Sequence, residues 1–386
     1  MQKHGPTHGL ITSAPELAEL VARLRESNVI AFDTESASFH RYVDRVYLIQ
    51  LSTKSETALI DPLAVSDLTG LGSILYSPKT EIVFHDADYD LRVLDRDYGF
   101  RARNLFDTRI AAQLVGEPAI GLGSLLEKHV KIRLDKKFQR ADWSQRPLTA
   151  GMLAYAADDT RHLLRLREVL TAQLEGLGRL HWAQEEFRRL EDIRWTGRKN
   201  DENDAFLRIR GAGRLPRRQL AVLDHVHRWR DATAGELDRA PFRVLSNAAL
   251  LEIARRVPTS EAALAAISGV GARLVRRSSR DILSAVEAGM ATPADELPVI
   301  RRSRPPAPDP GYETSLDRLK ALRDAKSRAV GLDPGVVCPN GTLQAIAKET
   351  ARSVEDLRQI PALRDWQREV LGEDAILDAV GAADRN

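Results

Sequence analysis

Residues 29–36 read Val-Ile-Ala-Phe-Asp-Thr-Glu-Ser, or VIAFDTES. The apolar beginning is typical of a buried strand, and two carboxylates follow where that strand should end. Because side chains alternate along a strand, Asp33 and Glu35 point the same way. Two carboxylates so close raise one another's pKa unless a positive charge lies between them. The stretch therefore predicts a cation site, and the alternative is a pair of solvated carboxylates in a turn.

The segments around this strand predict an α/β domain with a mixed sheet. Strands are expected at residues 29–33, 46–52, 57–61, 81–85 and 104–108. Helices are expected at residues 17–26, 68–77 and 89–95, and helical patterns dominate after residue 150. Strands that cluster first and then alternate with helices are typical of this fold class.

Two segments in the C-terminal half are copies of one module. At a constant offset of 93 residues, identical residues coincide, among them Arg230 with Arg323, Pro241 with Pro334, and Asn247 with Asn340. A period held in register is the mark of a duplication. Apolar residues recur at helical spacing in each copy, so two small all-α domains are expected after the α/β domain.

Changes in composition predict the domain limits. The α/β domain is expected over residues 1–195, a polar linker over 196–210, the first helical domain over 211–290, a proline-rich linker over 291–311 and the second helical domain over 312–381. The second linker holds six of the 18 prolines in the chain, which disfavour helix there.

Composition excludes several classes of protein. The 57 Lys and Arg residues nearly balance 55 Asp and Glu residues, so any affinity for polyanions must come from local basic patches. Cys338 is the only cysteine, which excludes an intramolecular disulfide and a cysteine-based zinc cluster. A reducing, cytoplasmic location is expected. No apolar run is long enough to span a bilayer, so no membrane association is expected.

A second acidic cluster, His85-Asp86-Ala87-Asp88-Tyr89-Asp90, follows the predicted strand at 81–85. Acidic residues are favoured in the first turn of a helix, so N-capping by Asp86 or Asp88 is expected. Asp90 lies deeper in the helix, where capping does not account for it.

The third cluster is Tyr155-Ala156-Ala157-Asp158-Asp159. Tyr155 and Asp159 are four residues apart and share one face of a helix, while Asp158 points elsewhere, towards solvent. An exposed acidic helix is the alternative for this cluster when it is considered alone.

Four carboxylates from three clusters fit one chemistry. Mg²⁺ and Mn²⁺ prefer hard oxygen ligands and are commonly held by a few carboxylates, water and substrate phosphate. Such a set can hold two ions about 3.5–4 Å apart, which activate water and stabilise the leaving oxygen of a phosphoryl displacement.

These clusters also carry a family resemblance. The sequences FDTE (32–35), H-x-x-x-x-D (85–90) and Y-x-x-x-D (155–159) resemble the three motifs of the DEDDy exonucleases, and within them the ribonuclease D family. The stretches LIQLS, ALIDPL, LFDTRIAAQLVG and LDKKFQRADWSQRPL extend the likeness. The duplicated modules are similar to HRDC domains, so the resemblance covers nearly the whole chain.

The resemblance implies an RNase H-like mixed-sheet exonuclease domain followed by two HRDC-like helical domains. It implies that two divalent ions, Mg²⁺ or Mn²⁺, are bound by Asp33, Glu35, Asp90 and Asp159. Tyr155 would orient the attacking water, and a phenol with an ordinary pKa of about 10 is better suited to positioning than to accepting a proton. The implied activity is stepwise hydrolysis from the 3′ end of RNA, such as tRNA precursors, with release of nucleoside 5′-monophosphates.

Contacts with nucleic acid are expected at further residues. Arg273, Arg276, Arg277 and Arg280 fall at helical spacing and form either a phosphate-binding stripe or a solvated basic face. The arginines around the first linker (Arg208, Arg210, Arg214, Arg217 and Arg218) form a second candidate patch. Trp229 aligns with Leu322 in the repeat, which favours core packing, whereas the role of Trp366 stays open.

Two residues beside the carboxylates are substrate-binding candidates. By analogy with the family, Thr34 would present its backbone to the terminal nucleotide. His85 would contact substrate or assist proton transfer, and the alternative for it is a structural hydrogen bond.

Two other functions remain to be separated from RNA hydrolysis. The same carboxylates serve DNA 3′-5′ exonucleases, and the RNA preference comes from the resemblance alone. A nucleic-acid-binding protein with an inactive site is the other alternative, and the presence of all four carboxylates with Tyr155 argues against it.

Overall fold

The sheet at the centre of the N-terminal domain is mixed. The computed structural model describes residues 7–197, 204–300, 310–349 and 351–381. In these ranges, one sheet contains β1 (Thr7–Ile11), β2 (Val29–Ser36), β3 (Val46–Ser52), β4 (Thr57–Ile60), β5 (Glu81–Phe84) and β6 (Leu105–Asp107). Their order is β1-β4-β3-β2-β5-β6. The predicted α/β fold with a mixed sheet is confirmed.

The strand that begins with Val29 lies in the interior of the sheet. β2 pairs antiparallel with β3 and parallel with β5. β3 is buried along its whole length, as its continuous apolar run indicates. The register places Asp33 directly opposite Gln50. Both carboxylates of the opening stretch are therefore held on a strand with neighbours on either side.

The first strand was missed by sequence reasoning. β1 pairs parallel with β4 at the edge of the sheet, with Leu10 opposite Leu59. Its sequence, THGLI, is short and lacks clear apolar alternation. Tertiary pairing at a sheet edge, rather than local propensity, accounts for this strand.

Eight α-helices and one π-helical turn (Leu126–Val130) accompany the sheet within the described residues. The α-helices are α1 (Ala14–Leu24), α2 (Thr69–Leu75), α3 (Asp88–Tyr98), α4 (Thr108–Val115), α5 (Leu122–Leu125), α6 (Ala150–Arg161), α7 (Leu163–Gly176) and α8 (Leu180–Leu190). A capping box of Ser13 and Glu16 starts α1 three residues before the predicted beginning. Small residues of α6, Ala156 and Ala157, are fully buried and pack with Leu48 of β3. α6 thus lies against β3 and the neighbouring strand β2, which carries the first two carboxylates.

The duplicated modules fold alike. The first contains α9 (Arg217–Glu236), α10 (Pro241–Val244), α11 (Asn247–Arg256), α12 (Glu261–Ala265) and α13 (Ala272–Ala291). The second contains α14 (Pro310–Val330), α15 (Pro334–Val337), α16 (Asn340–Glu349), α17 (Val354–Arg358), α18 (Asp365–Leu371) and α19 (Glu373–Gly381). Helices α10, α11 and α12 have the same bounds as α15, α16 and α17 after the shift of 93 residues.

Equivalent side chains make equivalent hydrogen bonds in the two modules. Arg230 donates to the Asn247 side chain at 2.6 Å, and Arg323 donates to the Asn340 side chain at 2.7 Å. These are the identical pairs that the sequence offset aligns. The hydrogen bonds confirm that the two modules are copies, since chance similarity would not reproduce the same pair of side-chain partners at the same offset.

The copies differ in their last helix. α13 is continuous over 20 residues, whereas its counterpart breaks at Gly372, where φ is +86°, into α18 and α19. A left-handed backbone is tolerated by glycine and ends a helix. The break makes α18 a short helix of seven residues that is separate from α19.

The second module shares a hydrophobic core with the N-terminal domain. Trp366 of α18 is buried and stacks on Trp182 of α8, with ring centroids 5.2 Å apart. Its indole N–H donates to Glu186 at 2.8 Å. Trp366, whose role the sequence left open, is therefore a docking residue between domains.

Some residues of the first expected linker belong to a hydrophobic core. Phe206 and Ile209, which lie within the expected linker of residues 196–210, are buried in the core of the first module. Part of the second expected linker lies outside the described residues. Among the helices that the structure describes, none has the length and apolar character needed to cross a bilayer.

Candidate active site

Three elements bring the predicted carboxylates together. Asp33 and Glu35 come from β2, and Asp159 comes from α6, which lies across β2 and β3. One oxygen from each of these three residues can be chosen so that all lie within 4.8 Å of one another. Residues that are more than 120 positions apart in the chain thus form one oxygen-rich site.

Asp90 of α3 joins this site through Thr34. Its Oδ1 accepts the backbone N–H of Thr34 at 3.1 Å and also the Thr34 hydroxyl. Thr34 lies between Asp33 and Glu35 on β2, so one residue joins the helix to the catalytic strand. The family analogy expects the Thr34 backbone to face the terminal nucleotide, and in the structure the Thr34 N–H donates to Asp90.

Burial and mutual repulsion dominate the electrostatics of the site. The pKa of Asp33 is raised well above its usual range by burial and then by the charges of Asp90, Asp159 and Glu35. Burial, followed by the charges of Asp159 and Asp90, also raises the pKa of Glu35. Burial raises the pKa of Asp90 and of Asp159 to about 7. The ionised forms need a positive charge that the neighbouring side chains do not supply.

The donor set fits a hard divalent cation. Within the part of the chain that the structure describes, no Lys, Arg or His side chain forms an ion pair with any of the four carboxylates. The nearby charged partners go to other acids: Arg161 pairs with Asp158 at 3.1 Å. Carboxylates that lack a cationic partner and converge in a half-buried site are the oxygen ligands that Mg²⁺ and Mn²⁺ prefer.

Tyr155 lies beside the carboxylates. Asp159 is one helical turn away on the same face of α6, close enough for its charge to act on the Tyr155 hydroxyl. Burial and the charges of Asp159, Glu35 and Asp33 raise the pKa of the phenol. The hydroxyl therefore keeps its proton at neutral pH and is suited to donating or orienting rather than to accepting a proton.

The expected N-capping of α3 by Asp86 or Asp88 is wrong. The N-cap residue is Ala87, and no side chain caps the helix there. Asp86 has a left-handed backbone, with φ of +67°, and pairs with Arg109. Asp88 pairs with Arg92 at 2.7 Å along the helix. Ion pairs with nearby arginines therefore account for both acids.

A buried aspartate that sequence reasoning missed organises this region. Asp107, at the end of β6, accepts the backbone N–H of Ala87 at 2.7 Å and those of Arg109 and Ile110 at 2.8 and 3.1 Å. It therefore caps α4 and joins the beginning of α3 to β6. An acid between a strand and a helix is a recognised N-cap signal, which residues 105–108 carry.

His85 has the structural hydrogen bond that was its alternative. Its Nδ1 lies 2.9 Å from the hydroxyl of Thr108, which itself donates to the carbonyl of Phe84. Since that hydroxyl has one proton, Nδ1 of His85 is the donor to it. Burial lowers the pKa of His85 to about 4, so the ring is neutral at pH 7 and Nε2 is an acceptor.

The basic residues fall into two groups. Arg273, Arg276, Arg277 and Arg280 are all exposed on α13. In the second candidate patch, Arg217 donates to the carbonyl of Leu297 at 2.7 Å, and Arg218 donates to the carbonyl of Thr292. These two arginines hold the segment after α13, so their role is structural. Trp229 packs against the core of its module, as the repeat indicated.

Family models match both parts of the chain. The model described as 3′-5′ exonuclease matches residues 9–175, and the HRDC domain model matches residues 219–286 and 313–380. The first range contains every carboxylate of the site, and the other two contain the duplicated helices.

Known proteins resemble the chain over most of its length. A ribonuclease D of Granulibacter bethesdensis is 32% identical over 96% of this chain and 92% of its own. The crystal structure of Escherichia coli RNase D, described as an exoribonuclease involved in structured RNA processing, superposes with a TM-score of 0.69 and 28% identity. It covers 97% of this chain and 99% of that one. The catalytic core of RRP6 from Trypanosoma brucei gives a TM-score of 0.67 at 30% identity and covers 75% of this chain and 81% of its own.

Proposed function

The chain belongs to the ribonuclease D family and is a 3′-5′ exoribonuclease, and we propose that its acidic site holds two divalent ions, Mg²⁺ or Mn²⁺, during hydrolysis. The proposed ligands are Asp33, Glu35, Asp90 and Asp159. The observation that carries the proposal is the convergence of the oxygens of Asp33, Glu35 and Asp159 within 4.8 Å. When bound, such ions would activate water and stabilise the leaving oxygen.

The side chains of the chain itself supply orientation. Thr34 holds Asp90 against β2 through two hydrogen bonds, so α3 cannot shift without moving a ligand. Tyr155 presents a protonated hydroxyl beside Asp159 and positions the attacking water. Because the ring of Tyr155 lies 6.1 Å from those of both Phe138 and Trp143, its orientation is set by packing on two sides.

The arginine stripe of α13 is proposed to hold RNA outside the active site. Arg273 and Arg276 align, at the offset of 93, with Trp366 and Glu369. In the second module these positions contact the N-terminal domain, where Glu369 accepts from His181 at 2.9 Å. The same helical face is thus a contact face in one copy, and in the other it is exposed and cationic. That charge fits a phosphate backbone.

The physiological substrates are proposed to be tRNA precursors, in line with the structured RNA processing described for the Escherichia coli protein. Residues 211–290 and 312–381 are proposed as the HRDC-like modules that retain such substrates. A cytoplasmic location is proposed from the single cysteine, whose buried thiol has a pKa raised to about 12 and so carries little reactive thiolate.

The choice of RNA over DNA is tested with matched oligonucleotides. We expect 3′-hydroxyl RNA to be shortened one nucleotide at a time with Mg²⁺ or Mn²⁺, and matched DNA to be shortened more slowly. Asp33→Asn removes one ligand charge at nearly constant volume and should abolish both reactions. Equal rates on DNA would favour the DNA exonuclease alternative, and activity retained by Asp33→Asn would contradict the ligand assignment.

A further inference from the structure

Two loops of the N-terminal domain meet the first helical module next to the active site. The backbone N–H of Ala240 donates to the carbonyl of His40 at 3.2 Å, and the ring of His40 contacts the carbonyl of Arg140 at 3.0 Å. His40 thus joins residues 36–45, 133–146 and 236–245, and these three segments form the junction between the N-terminal domain and the first module. A further contact is the pair of bonds from Arg41 and Tyr42 to Asp238, both at 3.2 Å.

An exposed aromatic pair lies across this junction. Phe39, from the loop after β2, and Phe242, from α10, have ring centroids 6.3 Å apart in an edge-to-face arrangement. They are 47% and 51% exposed. The guanidinium of Arg140 lies 5.5 Å from the ring of Phe39, and Arg243 donates to the Phe39 carbonyl. The two rings are therefore open to solvent and flanked by two cationic side chains.

The aromatic pair is close to the carboxylates. Phe39 follows Glu35 by four residues, so their Cα atoms lie at most about 14 Å apart. Phe138, in residues 133–146, contacts Tyr155, with the two ring centroids 6.1 Å apart. The ammonium group of Lys137 lies 5.4 Å from the centroid of the Phe138 ring. Aromatic and cationic groups therefore continue from the active-site tyrosine to the first module.

The charge of this junction is opposite to that of a nucleic acid. Residues 36–45, 133–146 and 236–245 hold nine Lys and Arg residues against five Asp and Glu residues, a net charge of +4. The whole chain has a net charge of only +2. Exposed aromatic rings and positive charge are the two components of surfaces that bind single-stranded nucleic acid.

We propose that Phe39 and Phe242 form a stacking platform for the bases of single-stranded RNA just upstream of the 3′ end being hydrolysed, with Arg140 and Lys137 on its phosphates. The inference rests on the proposed function and specifies where that RNA lies. It predicts that the platform contributes more to the binding of long RNA than to the binding of a dinucleotide, which has fewer bases to stack.

The test measures binding apart from hydrolysis. In full-length protein carrying Asp33→Asn, with EDTA, we expect Phe39→Leu and Phe242→Leu each to weaken the affinity for a fluorescent 12-nucleotide RNA by about tenfold. Phe242→Tyr should restore it because a ring returns. Tyr76→Leu is the matched control. Tyr76 is 48% exposed and the guanidinium of Arg103 lies 4.3 Å from its ring, but Tyr76 caps the C-terminus of α2, outside the platform.

Three results would overturn the platform. RNA affinity within twofold of the parent in both leucine variants would assign the pair to domain packing or to a protein partner. If Phe242→Tyr loses as much RNA affinity as Phe242→Leu and also has a lower melting temperature, the aromatic pair packs the two domains together and does not bind RNA. A parallel fall in dinucleotide hydrolysis, measured with Asp33 intact, would place the effect in the active site. Failure of the proposed function shows instead as absent hydrolysis of RNA by the protein with Asp33 intact and Mn²⁺ supplied, with RNA binding preserved.

A second inference comes independently from β3. Gln50 is fully buried, and neither its amide nitrogen nor its amide oxygen has a hydrogen-bond partner. Residues directly opposite in an antiparallel pair share a face, and Gln50 lies opposite Asp33. A buried amide without partners costs free energy, which marks it for a role in another state of the site.

The structure assigns Gln50 as a positioning residue, whose amide group donates to the Asp33 carboxylate when the proposed cation site is filled. Residues that hold a ligand in place tune metal affinity by about 10- to 100-fold. Ser52, on the same face of β3, differs in that its hydroxyl already lies 2.9 Å from that of Thr57 and 2.8 Å from that of Thr160.

Calorimetric titration with Mn²⁺ alone tests this role. Gln50→Met should lower Mn²⁺ affinity by about tenfold, yet raise the melting temperature of the metal-free protein because an unpaired buried amide is lost. Ser52→Ala should lower that temperature and leave Mn²⁺ affinity unchanged. Mn²⁺ affinity of Gln50→Met within twofold of the parent would overturn the assignment, and Gln50→Leu repeats the test if Gln50→Met does not fold.

Discussion

Burial makes the four carboxylates costly to ionise without a cation. Their raised pKa values mean that the folded, metal-free protein binds protons near neutral pH, whereas the unfolded chain binds them only at acidic pH. Stability of the metal-free protein therefore falls as pH rises through about 7.

The first prediction concerns this pH dependence. In EDTA, the melting temperature should be a few degrees lower at pH 8.5 than at pH 6.5, a change of roughly 1–3 kcal/mol in the free energy of unfolding. Mg²⁺ should reverse the loss at pH 8.5. Asp159→Asn removes one titrating group, so it should flatten the profile. A profile that is the same in wild type and Asp159→Asn would contradict a shared acidic site.

Tyr155 offers a prediction for the chemical step. Tyr155→Phe keeps the ring contacts with Phe138 and Trp143 but removes the hydroxyl beside Asp159. We expect kcat to fall by roughly a hundredfold, as for the loss of one aligned hydrogen-bonding group. Mn²⁺ affinity should be unchanged, because no ligand is lost. A wild-type kcat would remove the proposed positioning role.

At the residue scale, spacing predicts which carboxylates can meet but not what holds them. The i to i+2 step of Asp33 and Glu35 and the i to i+4 step of Tyr155 and Asp159 follow from strand and helix geometry. The bonds of Thr34 to Asp90 and of Asp107 to Ala87 join segments that are 56 and 20 residues apart. Such contacts depend on how helices pack against the sheet, which local sequence does not specify.

The helix α18 begins on a cap that another domain supplies. The two carboxylate oxygens of Glu185, on α8, accept the backbone N–H groups of Asp365 and Trp366 at 2.8 and 3.0 Å. The unsatisfied N–H groups and dipole at a helix N-terminus favour a negative charge there. One carboxylate thus stabilises the short helix and the contact between domains together.

A prediction at the element scale follows from this cap. Glu185→Ala should lower the free energy of unfolding by about 1 kcal/mol. It should also increase amide hydrogen exchange across residues 365–371, where the cap is lost. Glu175→Ala, at an exposed site on α7, is the control and should change neither quantity. Unchanged exchange in Glu185→Ala would show that Trp366 alone holds α18.

Element boundaries were predictable where a repeat or an apolar run marked them. The bounds of α11 and α16 differ by the 93 residues that the alignment of Asn247 with Asn340 requires. β1 was not predictable, since an edge strand of five residues depends on its partner β4. The break of the last helix at Gly372 was missed as well, although glycine at that position is its physical cause.

On the scale of the whole molecule, duplication has produced two uses of one helical face. Trp366 and Glu369 dock the second module on α8, while Arg273 and Arg276 occupy the equivalent positions in the first module and are exposed. The first module instead contacts the loop after β2 through Asp238. Its arginine face is thereby left open to substrate.

Reversal of charge on that face gives the last mutational prediction. Arg276→Glu with Arg280→Glu should weaken binding of long RNA and reduce the slope of log affinity against log salt by about 1.4, as expected for two lost contacts with a single strand. The melting temperature should not change, because both side chains are exposed. Arg165→Glu with Arg188→Glu makes the same change of net charge on the N-terminal domain. If the control pair weakens RNA binding and its salt dependence equally, the arginine stripe contributes only through the net charge of the protein.

The arrangement of domains could be predicted only in part. The order of an α/β domain and two helical copies follows from apolar periodicity and from the offset of 93 residues. Docking of α18 through Trp366 was not foreseeable, because a buried tryptophan at an interface and an exposed one that stacks on bases look alike in sequence. The contact partner, Trp182, lies 184 residues away.

The proposed activity depends above all on the binding of divalent ions by Asp33, Glu35, Asp90 and Asp159. Calorimetric titration of the metal-free protein with Mn²⁺ measures that binding directly. Asp159→Asn and Asp158→Asn are a matched pair, since the two residues are adjacent on α6 but only Asp159 shares the oxygen cluster. We predict saturable binding to the wild type and to Asp158→Asn, and at least a hundredfold weaker binding to Asp159→Asn. Equal Mn²⁺ affinity in both variants would contradict the site.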